Sequence, residues 1–166
     1  MTDDVLRTAA EDADAALARL DDVLSRIGDG DLHLAGPGGG WTAAQYVSHA
    51  NLAALLWLGD LVRLSHDPDL EFFHREEIGH DVLGYPPPTV ERARAQVAST
   101  RRTVATALPA TDPAVLDREV TIPDLGTMTI AGWTPRVMGH FTAHLQDVLD
   151  VLESRDALPS DAGTAS

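Results

Sequence analysis

Apolar residues recur every three or four positions in four long stretches of the chain, and this spacing predicts four amphipathic helices. The first predicted helix runs from Asp3 to Ile27 and ends at a glycine-rich loop that extends to Gly40. The second begins where Thr42 and Gln45 have the spacing of a capping box, and it continues to about Ser65.

The second half of the chain predicts two more helices with a short hairpin between them. The third helix is expected over 89–108. Alternating apolar residues on both sides of a Pro-Asp-Leu-Gly turn predict a β-hairpin over 118–130. The fourth helix is expected over 134–154, with Thr134 as its N-cap and Pro135 at its first position.

These elements define an all-α fold: a four-helix bundle with a long crossover and a short β-hairpin before the last helix. The crossover, 67–88, has no clean period and ends in three prolines. Residues 1–156 are expected to form one bundle domain. Residues 157–166 are small and polar, and we expect a disordered C-terminal tail.

Composition narrows the classes of partner. The chain has 166 residues, twelve of them arginine and none lysine, with 26 acidic residues and a formal charge of -14. Such a charge repels phosphate backbones and anionic lipids, so neither nucleic acid nor a membrane is expected as a partner. The chain has no cysteine, no signal-peptide pattern and no long apolar run, and we expect a cytoplasmic protein.

Three histidines interrupt apolar helix faces and predict a metal site. His140 and His144 are four residues apart, so their rings project from one face of the last helix. His49 interrupts the apolar face of the second helix in the same way. Three core-facing imidazoles can hold one divalent cation and leave open positions, and Zn²⁺, Ni²⁺ and Fe²⁺ all accept them. The alternative for each histidine is a core imidazole that is hydrogen-bonded to a carbonyl or carboxylate.

Four further residues near the predicted site each have a structural interpretation, and two of them, Asp147 and Tyr46, also have a functional one. Asp147 is one turn after His144 and can orient that ring or replace a ligand, although most helix acids are simply solvated. Tyr46 can offer a phenol near the ion, although packing is the more common role. Trp41 and Trp133 each precede an expected N-cap, and we interpret both as hydrophobic staples.

The motifs resemble the DinB-like superfamily of metal-binding four-helix proteins, which includes the mycothiol-dependent maleylpyruvate isomerases. The resemblance covers nearly the whole chain and depends on the Trp41–Gln45 sequence, the hairpin and the Gly139–His144 sequence. It implies a divalent metal held by His49, His140 and His144. The isomerase branch typically has glutamate at the position of His140, so this chain departs from that branch at one predicted ligand.

The same resemblance implies a thiol S-transferase that uses a low-molecular-weight thiol such as mycothiol or bacillithiol on an electrophilic small molecule, and it also implies a homodimer. The alternatives are a metal-dependent hydrolase with Glu76 or Glu77 as general base, and a non-catalytic stress-associated binding protein. Exposed apolar residues expected around Trp57, Phe72 and Phe73 would supply the dimer interface.

Overall fold

Four long helices, two short ones and one hairpin form in the computed structural model, which describes residues 2–36, 40–67, 85–122 and 126–156. In chain order the elements are α1 (Thr2–Leu24), α2 (Asp29–Leu32), α3 (Ala43–His66), α4 (Val90–Ala110), a 3₁₀ helix (Pro113–Asp117), β1 (Glu119–Ile122), β2 (Gly126–Thr129) and α5 (Ile130–Asp156).

The four long helices pack as a bundle in which α1 and α3 each contact both α4 and α5. Helices α1 and α4 are antiparallel, because Asp14 pairs with Arg101 while the later Asp21 pairs with the earlier Arg94. Apolar side chains from all four helices fill the centre; the fully buried ones include Leu17, Leu20, Leu24, Leu61, Leu108 and Val148. The expected all-α class with a hairpin before the last helix is confirmed.

Helix α3 begins with the predicted capping box. The Gln45 amide donates to Thr42 Oγ1 at 3.2 Å, and the Thr42 amide donates to Gln45 Oε1 at 2.8 Å. The ring of Trp41, just before the cap, lies 5.2 Å from the ring of Tyr46 in the first turn. This is the hydrophobic staple that the sequence predicted, and it fixes the direction in which the chain enters α3.

Helix α5 begins at Ile130, five residues before Pro135, which was its predicted first position. Thr129 Oγ1 accepts from the Gly132 amide at 3.1 Å, so Thr129 rather than Thr134 caps the helix. The hydroxyl of Thr134 is buried and donates to the carbonyl of Ile130 at 2.9 Å. Pro135 therefore lies inside the helix and not at its first position. The earlier start follows from the strand, which leads into the helix without an intervening loop.

Two tryptophan predictions were wrong. Trp133 lies inside α5 with only 6% of its surface exposed, and it is a core residue rather than a staple before a cap. Trp57, expected on a dimer surface, is 4% exposed because it belongs to the buried face of α3. The other two residues of that expected surface, Phe72 and Phe73, lie outside the described residues.

The hairpin over the predicted segment is confirmed as an antiparallel pair in which Val120 is opposite Met128. The first helix ends at Leu24, and α2 occupies part of the predicted glycine-rich loop. The crossover residues 68–84 and the tail 157–166 are outside the part of the chain that the structure describes. Within that part, no helix is long and apolar enough to cross a membrane.

Candidate metal centre

His49 of α3 and His144 of α5 meet where these two helices pack together. The centres of their rings are 4.5 Å apart, and the ring planes are nearly perpendicular, at 87°. Both ring nitrogens of His49 are shielded from solvent, and the side chain of His144 is 12% exposed. The structure thus brings together two of the three predicted ligands, one from each of two neighbouring helices.

The separation of the two rings fits a shared cation. Two imidazole nitrogens about 2.1 Å from one ion, with about 90–110° between them, place the ring centres about 4.5–5.2 Å apart. The observed 4.5 Å lies at the lower end of that range. Neutral imidazole is also a ligand that divalent zinc, nickel and iron accept. The distance between the ring centres and the donor type are therefore both compatible with a shared divalent ion.

His140 is one helical turn before His144 on α5, so the two residues share a face of that helix. The structure does not describe the side chain of His140. Among the described side chains, no group of three histidine, aspartate or glutamate residues could hold a metal ion. The third ligand stays a prediction from the sequence. Glu76 and Glu77, which the hydrolase alternative needs, lie outside the described residues.

Asp147 contacts one of the two histidines. Nδ1 of His144 lies 3.0 Å from Asp147 Oδ2, at hydrogen-bond distance across one turn of α5. The carboxylate is 43% exposed, whereas the imidazole is mostly buried. Sequence reasoning left Asp147 outside the site. The signal that could have found it is the i,i+3 spacing from His144, which places the two side chains on one face.

Trp41 and Tyr46 lie beside the His49 and His144 rings, and we call these two residues the aromatic wall. The ring of Trp41 lies 5.1 Å from that of His49 and 6.3 Å from that of His144. The ring of Tyr46 lies 5.9 Å from that of His144. Burial, and then the negative charge of Asp147, raise the pKa of Tyr46 above its ordinary value, so the phenol is neutral at pH 7. The wall thus gives the histidines an apolar border.

Comparison with known proteins identifies the class. The family model of the DinB superfamily matches residues 12–148, which include all three predicted ligands. The chain belongs to the DinB superfamily, as the sequence motifs predicted. No curated protein and no solved structure matches the chain.

Proposed function

We propose that this protein holds a divalent metal ion through His49, His140 and His144 and is a metal-dependent S-transferase. It would join a low-molecular-weight thiol, such as mycothiol or bacillithiol, to an electrophilic small molecule. The approach of the His49 and His144 rings to 4.5 Å is the observation that carries the proposal. Membership of the DinB superfamily agrees with it.

The donor set determines the chemistry that the ion would supply. Three neutral imidazoles do not compensate the two positive charges of the cation, which favours an anionic thiolate beside it. The chain has no cysteine, so the thiol must come from a cosubstrate. The thiolate sulfur would form a bond to carbon of the electrophile while the bond from that carbon to its leaving group breaks. The thiol proton would pass to solvent, and the leaving group, which is chloride in monochlorobimane, would depart as an anion.

The residues of the chain have separate roles in this proposal. His49, His140 and His144 hold the ion. The aromatic wall of Trp41 and Tyr46 borders the two described histidines and limits the access of water to them. Water that is kept away cannot compete with the thiolate for the cation or for the electrophile.

Metal analysis of the purified protein tests the ligand set. We expect about one equivalent of Zn²⁺, Ni²⁺ or Fe²⁺ in the wild type, and loss of that metal in each of His49→Ala, His140→Ala and His144→Ala. His66→Ala is the matched control, because His66 is an exposed histidine at the end of α3. Far-UV circular dichroism would establish that each variant is folded. Full metal content in a folded His49→Ala variant would refute the site.

Thiol consumption tests the reaction. The protein is incubated with a thiol and the electrophile monochlorobimane, with and without a chelator. We expect consumption that the chelator abolishes and that added metal restores. Consumption that ignores the chelator would contradict the metal-dependent mechanism. Bound metal without any consumption would favour the hydrolase or the non-catalytic protein instead.

A homodimer remains part of the proposal, on the basis of the family resemblance. The buried position of Trp57 removes one residue of the expected interface. Light scattering on the eluted protein measures the mass directly. A mass near that of the 17.7 kDa chain would refute the dimer.

A further inference from the structure

We propose that Asp147 is a positioning residue: it holds His144 in the tautomer that directs a lone pair of Nε2 toward the ion. This inference rests on the proposed function, because it assigns the ligand atom of one of the three histidines. It also makes a claim about the metal-free protein, which can be tested separately.

The hydrogen bond determines which ring nitrogen carries the proton. Oδ2 of Asp147 lies 3.0 Å from Nδ1 of His144. An ionised carboxylate can only accept hydrogen bonds, so Nδ1 must be the donor. A neutral imidazole has one N–H group, and the lone pair is therefore at Nε2. A cation beside this ring would therefore be bound through Nε2.

The surroundings keep this contact in place. Asp147 and His144 are one turn apart on α5, so the bond lies within a single rigid element. The carboxylate is 43% exposed and stays in contact with water, while the imidazole is 12% exposed, so the packing around it limits its rotation. The charge of Asp147 also reaches its neighbour Tyr46, whose pKa is raised by burial and by that charge.

A carboxylate behind a metal-bound histidine strengthens the metal–ligand bond. It fixes the orientation of the ring and makes the ligand nitrogen more basic. Loss of such a partner typically weakens metal affinity about 10- to 100-fold, whereas loss of a ligand removes the site. Loss of Asp147 should therefore weaken the binding of the ion without changing the number of ions bound.

The first experiment reads the tautomer in the metal-free protein. Long-range ¹H–¹⁵N spectra at a pH where the imidazole is neutral distinguish the two ring nitrogens of His144. We expect Nδ1–H in the wild type, and a shift toward Nε2–H in Asp147→Ala. Asp150→Asn is the control, because Asp150 is an exposed acid of the same helix that bonds to Gln146. An Nε2–H ring in the wild type, or an unchanged ring in Asp147→Ala, would overturn the inference.

The second experiment measures Zn²⁺ affinity by competition with a chromophoric chelator. We expect about 10- to 100-fold weaker binding in Asp147→Ala, with the stoichiometry unchanged. Asp147→Asn keeps an acceptor oxygen and should recover part of the loss, and Asp150→Asn should match the wild type. Wild-type affinity in Asp147→Ala would refute the role of Asp147. If the wild type binds no zinc, the proposed function fails, and the tautomer measurement alone decides the inference.

Discussion

Trp41 is close enough to both histidines to report metal binding through its fluorescence. Its ring lies 5.1 Å from that of His49 and 6.3 Å from that of His144. Trp57 is eight residues beyond His49 on α3, which is about 12 Å along the helix axis. Trp133 is eleven residues before His144 on α5, or about 17 Å. An ion at the two histidines therefore has one near tryptophan and two distant ones.

This geometry sets the expected signal. Open-shell Ni²⁺ and Co²⁺ quench a nearby indole, and the quenching falls steeply with distance. The chain has three tryptophans, so complete quenching of Trp41 alone removes about a third of the emission if all three emit equally. Titration of the metal-free wild type with Ni²⁺ should show this loss and should saturate at one equivalent. Zn²⁺, which has a closed shell, should bind with little quenching.

Trp41→Phe tests the assignment. Phenylalanine keeps an aromatic ring against Tyr46 and preserves the staple at the start of α3. The variant should bind Ni²⁺ in equilibrium dialysis and lose most of the quenching. Quenching of wild-type size in Trp41→Phe would refute the reasoning, since a different tryptophan would then be next to the ion. Stoichiometric binding to the wild type without quenching would place the ion away from His49 and His144.

Three further predictions concern stability, each measured by urea unfolding of the metal-free protein. Thr42→Ala removes the capping box of α3 and should lower the free energy of unfolding by about 1 kcal/mol. Thr100→Val removes the buried hydroxyl that donates to Asn51 and should lower the free energy of unfolding by about 1–2 kcal/mol. The double variant Thr100→Val, Asn51→Leu should recover most of that loss. Hydrogen bonds from Arg94 hold the pKa of Asp21 below its ordinary value, so Asp21→Asn should lower stability slightly at pH 7. That difference should disappear as the pH falls through the lowered pKa, where the carboxylate becomes protonated.

Each of these predictions has an outcome that contradicts it. An unfolding curve of Thr42→Ala that overlays the wild type would mean that the box contributes nothing to α3. A Thr100→Val, Asn51→Leu protein no more stable than Thr100→Val would show that the two polar groups are not coupled. Asp12→Asn, at an exposed residue of α1, is the control for Asp21→Asn. A deficit of Asp21→Asn that grows in acid would reverse the sign derived from the pKa.

Helical spacing predicted the bundle because one face of each long helix is buried. The capping box of α3 was also predictable, since Thr42 and Gln45 contact each other locally. The start of α5 was not. Thr129 and Thr134 are both able to cap a helix, and a proline just after Thr134 favours the wrong one. The choice depends on the hairpin, which leads the chain into the helix at Ile130.

In the candidate site, as in the fold, only the features that depend on neighbouring residues in the sequence were predictable. Because His49 and His144 interrupt apolar faces, the sequence predicted that both rings face the core, and the structure brings the two rings to 4.5 Å. Their role as metal ligands stays a prediction. The i,i+3 spacing placed Asp147 on the same face as His144, but it did not decide between a solvated acid and a hydrogen-bonded one, because both have the same spacing in the sequence. The approach of Trp41 to both histidines depends on how α3 packs against α5, which no local pattern encodes.

The ring of Trp41 links two properties that are usually separate. It helps to fix the entry of the chain into α3, and it borders both described histidines. Its carbonyl accepts from the amide of Gly36, in a segment that supplies no predicted ligand. Under the proposed function, substitutions in that segment would shift Trp41 while His49, His140 and His144 keep their places, which would give evolution a means of changing the surroundings of the ion without replacing its ligands.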